Sequence, residues 1–344
     1  KITTEKRATL SADIAAMWQY YEDYANSENN FLPPDNVQFS PVYRICQRTS
    51  PTNIGMMLLS LLTAKDFDLI DAHDLYIRLD RSLSSVEKLE KYCGNLYNWY
   101  DTPTLKISPS PFISSVDSGN FLCCLVTLKE GLREYQFHEQ RLEEIILRIE
   151  NLIDSTDIGI FYNSTKNLFT IGIDPKDGSF CPNHYDMLMS ESRMLSYFAI
   201  TKRIVPKKHW RSLARTMKRK NSYSGSVSYS GTMFEFFMPE LLLKSRFGSL
   251  CYERLKFCIH CQISRARSKN VPFGISESAF YAFDNQLNYQ YKAHGVQNSG
   301  IRRGLDLELV VSPYSTYLSM QIAFDSAYSN LEALKKYGTY GPYG

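Results

Sequence analysis

Apolar residues return at three- and four-residue spacing in one segment after another of this chain. That rhythm commits most of it to amphipathic helices. The spacing predicts a first helix from Thr3 to Tyr24, with Leu10, Ile14, Met17 and Tyr21 on one face. Ser50-Pro51-Thr52-Asn53 opens a second helix, which carries Ile54, Met57, Leu58, Leu61 and Leu62; Pro near a helix start fits its missing N–H. Further helices are predicted over Ala72 to Tyr92, Asp117 to Arg133, Phe137 to Ile153, Tyr185 to Thr201, Phe234 to Ser245, Ser249 to Ala266 and Tyr314 to Asn330. Between the fifth and sixth the period changes to two. Ile158, Ile160 and Tyr162 alternate, as do Phe169, Ile171 and Ile173, which predicts a β-hairpin across residues 163–167.

Helices of similar length joined by alternately short and long connections can close into a ring. The expected fold is therefore mainly α, an α/α toroid with a small β-hairpin and long loops at one rim. A stacked solenoid is the alternative, but no repeat of fixed length is present. A single domain is expected over 1–336, with the Gly- and Tyr-rich 337–344 as a linker tail. The start has neither an initiator Met nor a signal peptide, and is read as the beginning of a piece of a longer chain. No stretch approaches the roughly 20 apolar residues that span a membrane.

Thirty-nine Lys and Arg stand against 36 Asp and Glu, a net charge of +3, which gives no case for nucleic acid as a partner. The one strongly basic run, Lys202 to Lys220, is read as an exposed loop. The eight cysteines, several of them inside apolar runs, are read as reduced thiols. Cys258-Ile-His-Cys261 lies within a helical pattern and lacks a second ligand pair, so no metal is expected. No phosphate-binding loop, dinucleotide fingerprint or nucleophile elbow occurs, and no cofactor is expected.

Four acids stand out from the solvated helix faces because they sit in apolar or Gly/Ser-rich settings. They are Asp117, Glu191, Glu235 and Glu277. Each has a structural reading: a helix cap for Asp117, an ion pair with Arg193 for Glu191, a buried acceptor for Glu235, a turn cap for Glu277. Together they supply what glycoside chemistry requires, a protonated carboxyl beside a charged one. The chain is also rich in rings, with 24 Tyr, 19 Phe and 3 Trp. Asn95-Leu-Tyr-Asn-Trp-Tyr-Asp101 and Asn288-Tyr-Gln-Tyr-Lys292 combine ring faces with hydrogen-bonding groups, as a sugar subsite does.

Eight blocks in order carry a family resemblance. They are Arg48-Thr-Ser-Pro-Thr-Asn-Ile-Gly55, Tyr97-Asn-Trp-Tyr-Asp101, Val116-Asp-Ser-Gly-Asn120 and Tyr185-Asp-Met-Leu-Met-Ser-Glu-Ser-Arg193, then Gly231-Thr-Met-Phe-Glu235, Gly274-Ile-Ser-Glu-Ser278, Asn288-Tyr-Gln-Tyr291 and Val311-Ser-Pro-Tyr314. From about Asn30 to Met320 the chain resembles the central glycoamylase-like domain of bacterial cyclic β-1,2-glucan synthases. The resemblance implies an (α/α)6 barrel that closes linear β-1,2-glucan into rings by anomer-retaining transglycosylation, without metal or cofactor. It implies neighbouring glycosyltransferase and phosphorylase-like domains in the parent chain and a cytoplasmic location, whether or not that parent is attached to the inner membrane. It implies Glu191 and Glu277 as the catalytic pair, Glu191 as nucleophile and Glu277 as acid/base, with the roles open to exchange. Asp117, Glu235, Trp99, Tyr100, Asp101, Tyr289, Tyr291 and Arg48 are implied as substrate-binding residues. A β-1,2-glucanase using the same acids on water, or a glycan-holding module without catalysis, are the alternatives.

Overall fold

The structure, a computed structural model, describes residues 2–344. Ten α-helices dominate it: α1 Thr4–Tyr24, α2 Pro51–Asp66, α3 Ala72–Lys88, α4 Ser115–Leu132, α5 Leu142–Ser155, α6 Arg193–Thr201, α7 Lys208–Ser212, α8 Met233–Phe237, α9 Leu250–Lys269 and α10 Tyr314–Lys336. Side-chain oxygens stop the backbone donors at most of the long starts. Thr3, Ser50, Asp71, Ser114 and Ser249 accept from the N–H three residues on, which satisfies one of the orphan donors at each helix start.

The packing separates two series. Helix α2 packs on α4, α4 on α6, and α8 on α10; α3 packs on α5, and the odd-numbered helices lie against their even-numbered neighbours. Close approach of α4 and α6 rests on Gly119, where a Cβ would stand 2.5 Å from Leu195 Cβ. The larger core joins α2 to α6 through Leu58, Leu79, Leu125, Ile149 and Leu195. A second core joins α8, α9 and α10 through Phe236, Phe237, Leu255, Cys258 and Ala327.

Four expected helices are shorter than the periodicity predicts. The fifth begins at Leu142, not Phe137. The third ends at Lys88 because Lys91–Tyr92 turns back on Asn95–Leu96. Gly94 makes that turn at φ +78°, and a Cβ there would meet Ser155 O at 2.0 Å. The sixth begins at Arg193, not Tyr185. Residues 187–190 are buried on every side, and a short apolar run does not tell helix from extended chain. The seventh has five α residues before a 3-10 turn at Met238–Leu241, where Pro239 lacks an N–H.

The expected single hairpin is also an undercount. Tyr162–Asn163 does pair with Leu168–Thr170. Besides it, a five-stranded antiparallel sheet runs in spatial order 179–180, 172–174, 107–114, 98–101, 48–49. Hairpins join Asn36–Gln38 to Arg44–Cys46, Met217–Lys220 to Tyr223–Ser226, and Glu277–Phe283 to Tyr289–Ala293. The basic run therefore includes α7 and one strand, and Lys218 is spent on the carbonyls of Gln297 and Gly300. Residues 337–344 fold back on α1, with the Tyr343 ring edge-on to Tyr20 and Tyr24.

Candidate active site

The even-numbered helices bring their N-terminal ends to one place. Asp117 lies in the first turn of α4, and Thr52 in the first turn of α2 donates to its Oδ1 at 2.6 Å. Asn120 donates to Thr52 at 3.2 Å. Glu191 lies just before α6, Glu235 in α8, and Tyr314 opens α10. Glu277 begins the hairpin beside them, and the Tyr314 hydroxyl lies 2.9 Å from both its carbonyl oxygen and Ser276 Oγ.

The four acids do not have equal surroundings. Glu191 has no hydrogen bond or ion pair to its carboxyl among the described residues. Arg193 is committed elsewhere, at 2.5 Å from Glu240 in a buried pair, so the ion pair considered for Glu191 is not made. Burial pushes the Glu191 carboxyl well above the ordinary range, and the negative charges of Glu277, Asp117 and Glu235 push it further. Burial and the Glu235 charge also raise Glu277, and donors oppose them in part: the Tyr291 hydroxyl at 2.8 Å and the Thr232 hydroxyl, which lies 3.3 Å from both Glu277 and Glu235. Tyr291 is 68% exposed, yet its hydroxyl end is enclosed, and burial followed by the Glu277 charge holds that phenol well above its usual value. The site therefore holds one carboxyl that favours its proton and one whose charge is met by hydroxyl donors.

Glu235 is placed with the cluster but is occupied. Its oxygens accept from Ser228 Oγ at 2.7 Å, Gly231 N at 3.0 Å, Ser230 N at 3.1 Å and Thr232 N at 3.2 Å. Thr232 caps α8 in return. That makes Glu235 the anchor of the 228–232 loop, the buried-acceptor role considered for it.

The second expected cluster divides. Arg48 stacks over Trp99 at 4.4 Å and pairs with Asp35 at 3.3 Å. Asn53, in the first turn of α2, donates to the same Asp35 at 3.1 Å, so Arg48 and Trp99 are tied to the wall that bears Thr52 and Asp117. Asp101 accepts from Thr104 N at 2.9 Å and shapes a turn. Tyr100 does not reach the site. It is 0% exposed, and its hydroxyl donates to Glu90 O and accepts from Tyr97 N. Its reading as a substrate-binding residue is corrected: in a strand, alternate residues face opposite ways, and Trp99 takes the open side. Tyr289 and Tyr291 lie on the Glu277 hairpin.

Sequence reasoning passed over four neighbours of the carboxyls, namely Tyr185, Tyr314, Thr52 and Thr232. Tyr185 and Tyr314 stand inside the quoted blocks, and the charges of Glu191 and Glu277 help raise both phenols after burial. Among the described residues no cluster of three or more His, Cys, Asp or Glu side chains is arranged to hold a metal ion. The eight cysteines are all unpaired. No helix described is long and apolar enough to cross a membrane.

No protein-family model matches the chain. Among solved structures, it superposes on an endo-β-1,2-glucanase from Chitinophaga pinensis with TM-score 0.75 and 15% identity, covering 96% of this chain and 83% of that one. An endo-β-1,2-glucanase from Talaromyces funiculosus gives TM-score 0.78 and 10% identity, over 99% and 78% of the two chains. At these identities the likeness is one of fold. In sequence, the chain is 28% identical to the cyclic β-(1,2)-glucan synthase NdvB of Rhizobium meliloti, over 95% of this chain and 16% of that protein. The resemblance carried by the eight blocks is thus met along nearly the whole chain, which is similar to one stretch, about a sixth, of a cyclic β-1,2-glucan synthase.

Proposed function

We propose that this chain closes linear β-1,2-glucan into rings by anomer-retaining transglycosylation, as one domain of a larger cyclic β-1,2-glucan synthase. The observation that carries the reading is the unequal pair at the rim: Glu191 without a partner and strongly favouring its proton, Glu277 raised less and accepting from the Tyr291 hydroxyl. A glycan-holding module gains nothing from crowding four acids together, whereas glycosyl transfer needs such a pair.

In the first step one carboxylate attacks the anomeric carbon, and the other carboxyl protonates the departing glycosidic oxygen. In the second step the same group, now a base, takes the proton of an incoming 2-hydroxyl, whose oxygen displaces the carboxylate. Two inversions leave the β linkage as it began. The electrostatics of the free site favour the exchanged roles, with Glu191 as acid/base and Glu277 as nucleophile, because no proton then has to cross between them before attack. Asp117, Arg48, Trp99, Tyr289 and Tyr291 are proposed to hold the sugar chain.

For the frame we propose an (α/α)6 barrel forming one domain over 1–336, with 337–344 closing back on its first helix. The two helix series and the gathering of even-numbered starts support it. Glycosyltransferase and phosphorylase-like regions are proposed as its neighbours in the parent chain. Eight free thiols are in keeping with a cytoplasmic site of action.

Hydrolysis by the same acids is the second reading, favoured by the fold shared with two endo-β-1,2-glucanases. Mass spectrometry of products from linear β-1,2-glucan separates the two, because a ring is lighter than its linear equal by one water. Ring masses that vanish in Glu191→Gln and Glu277→Gln are the expected result. Shorter linear chains alone would give the reaction to water.

A further inference from the structure

The hairpin that carries Glu277 extends well beyond it. Residues directly opposed across antiparallel strands share a face of the ladder. Glu277 opposes Ala293, Ala279 opposes Tyr291, and Phe283 opposes Tyr289. Glu277, Tyr291, Tyr289 and Phe283 therefore share one face. An irregularity between Phe280 and Phe283 brings in Tyr281, whose ring centroid lies 4.8 Å from Phe283 and 6.3 Å from Tyr289. Phe283 and Tyr289 are themselves 4.8 Å apart. Tyr281 is 80% exposed.

This outlying cluster is held in place. The buried Gln38 side chain, from the neighbouring hairpin, donates to Leu287 O at 2.9 Å and accepts from Tyr289 N at 3.1 Å. Asp284 accepts from the backbone of Gln286 and Asn288 at 2.8 and 2.9 Å and closes the turn. Arg44 bonds Asn288 across the two hairpins. The rings are thus ordered before any ligand arrives, which removes much of the entropic penalty of binding.

We propose that Tyr289, Phe283 and Tyr281 form a distal platform for the glucan, on which sugar rings remote from the reacting bond stack. The proposal rests on the β-1,2-glucan reading above and extends it. Its occupant follows from continuity, since the face starts at Glu277 with the Tyr291 hydroxyl already on that carboxyl. A chain engaged there runs on to the rings without leaving the protein. From Glu277 to Phe283 the strand covers on the order of 20 Å at about 3.4 Å per residue, room for several sugar units. Tyrosine suits them, because its ring meets the apolar face of a sugar and its hydroxyl meets the polar edge. Ring closure gains from such a surface. A chain fixed at two places presents its far hydroxyl at raised effective concentration, where it competes with water.

The test uses linear β-1,2-glucan fractions of graded length with the wild type, Tyr281→Ala, Phe283→Ala, the double variant and Tyr281→Phe. The double variant is expected to raise KM for long chains about tenfold, equivalent to ~1.4 kcal/mol, with a loss that grows with chain length. Ring sizes should redistribute, and Tyr281→Phe should keep most of the preference for long chains. Thermal melting checks that the variants are folded. A loss equal at every length, or no loss, overturns the platform while the glucan reading stands. Absence of glucan turnover in the wild type overturns the reading beneath it. If the variants weaken only the hold on an adjoining polypeptide, the face is a protein interface and the proposal fails.

Discussion

Glu191 is the least compensated charge of the site, and that has two consequences. The first concerns stability. Its pKa in the folded protein is raised above the ordinary carboxylate value by burial and then by its acidic neighbours. A group raised in this way gives its full contribution at pH below the unfolded value and loses it as pH rises through the folded value. Glu191→Gln should therefore melt close to wild type at about pH 4 and several degrees above it at neutral pH, while losing activity. Equal melting temperatures across that range would show that Glu191 carries no such strain. The second concerns roles. In a retaining enzyme, azide replaces a missing nucleophile from the opposite side, but intercepts the glycosyl-enzyme when the acid/base is missing. With an activated donor, Glu277→Gly plus azide should yield the α-glycosyl azide and Glu191→Ala the β. Analysis of product anomers by NMR decides this, and the reverse pattern restores Glu191 as nucleophile.

At the scale of elements the site depends on short pieces of chain fixed by unusual acceptors. The 228–232 loop turns around Glu235, which accepts backbone N–H groups from Ser230, Gly231 and Thr232. Glu235→Gln puts an amide NH2 among donors, at a cost of about 2–3 kcal/mol. It should lower the urea midpoint, and activity should fall with it, because Thr232 of that loop also donates to Glu277. An unchanged midpoint would mean that the loop holds its shape without the carboxylate. This layer was the least legible in the sequence. Helices such as α2 and α3 declare themselves through apolar spacing and caps at Ser50 and Asp71. The rim does not. Most of its strands have two to four residues, too few to establish a period, and hydrogen bonds such as Thr52 to Asp117 join residues far apart in sequence. The four acids were visible because carboxylates are rare in apolar or Gly/Ser-rich settings. Their separate surroundings were not, since a partner such as Glu240 for Arg193 is fixed only by tertiary packing. Tyr100 and Trp99 show the same limit: composition picked out the pair, and only the pleat separated them.

Across the whole molecule, the first and last helices meet, so the ends of the chain are bound to the same body. Asp13 in α1 is 1% exposed. It accepts from the Tyr317 hydroxyl of α10 at 3.0 Å and faces Lys335 at 3.7 Å. Lys6 pairs with Asp325 at 3.1 Å and stands over the Tyr328 ring at 4.8 Å. The exposed Lys6 pair contributes little, whereas removing the buried Asp13 leaves the Tyr317 phenol without its acceptor and Lys335 with Glu332 alone. Asp13→Ala should therefore destabilise the protein by about 2–4 kcal/mol, and Lys6→Ala by less than about 1 kcal/mol. The effect of Asp13→Ala should reach the site, because α10 opens at Tyr314, whose hydroxyl bears on Ser276 and on the backbone of Glu277. Denaturant melts and initial rates on linear glucan, taken on the same samples, test the connection. A large loss of stability with unchanged rates in the folded fraction would mean that the closure supports the body alone. Loss of both would mean that joining the first helix to the last also holds the Glu277 hairpin in register with Glu191.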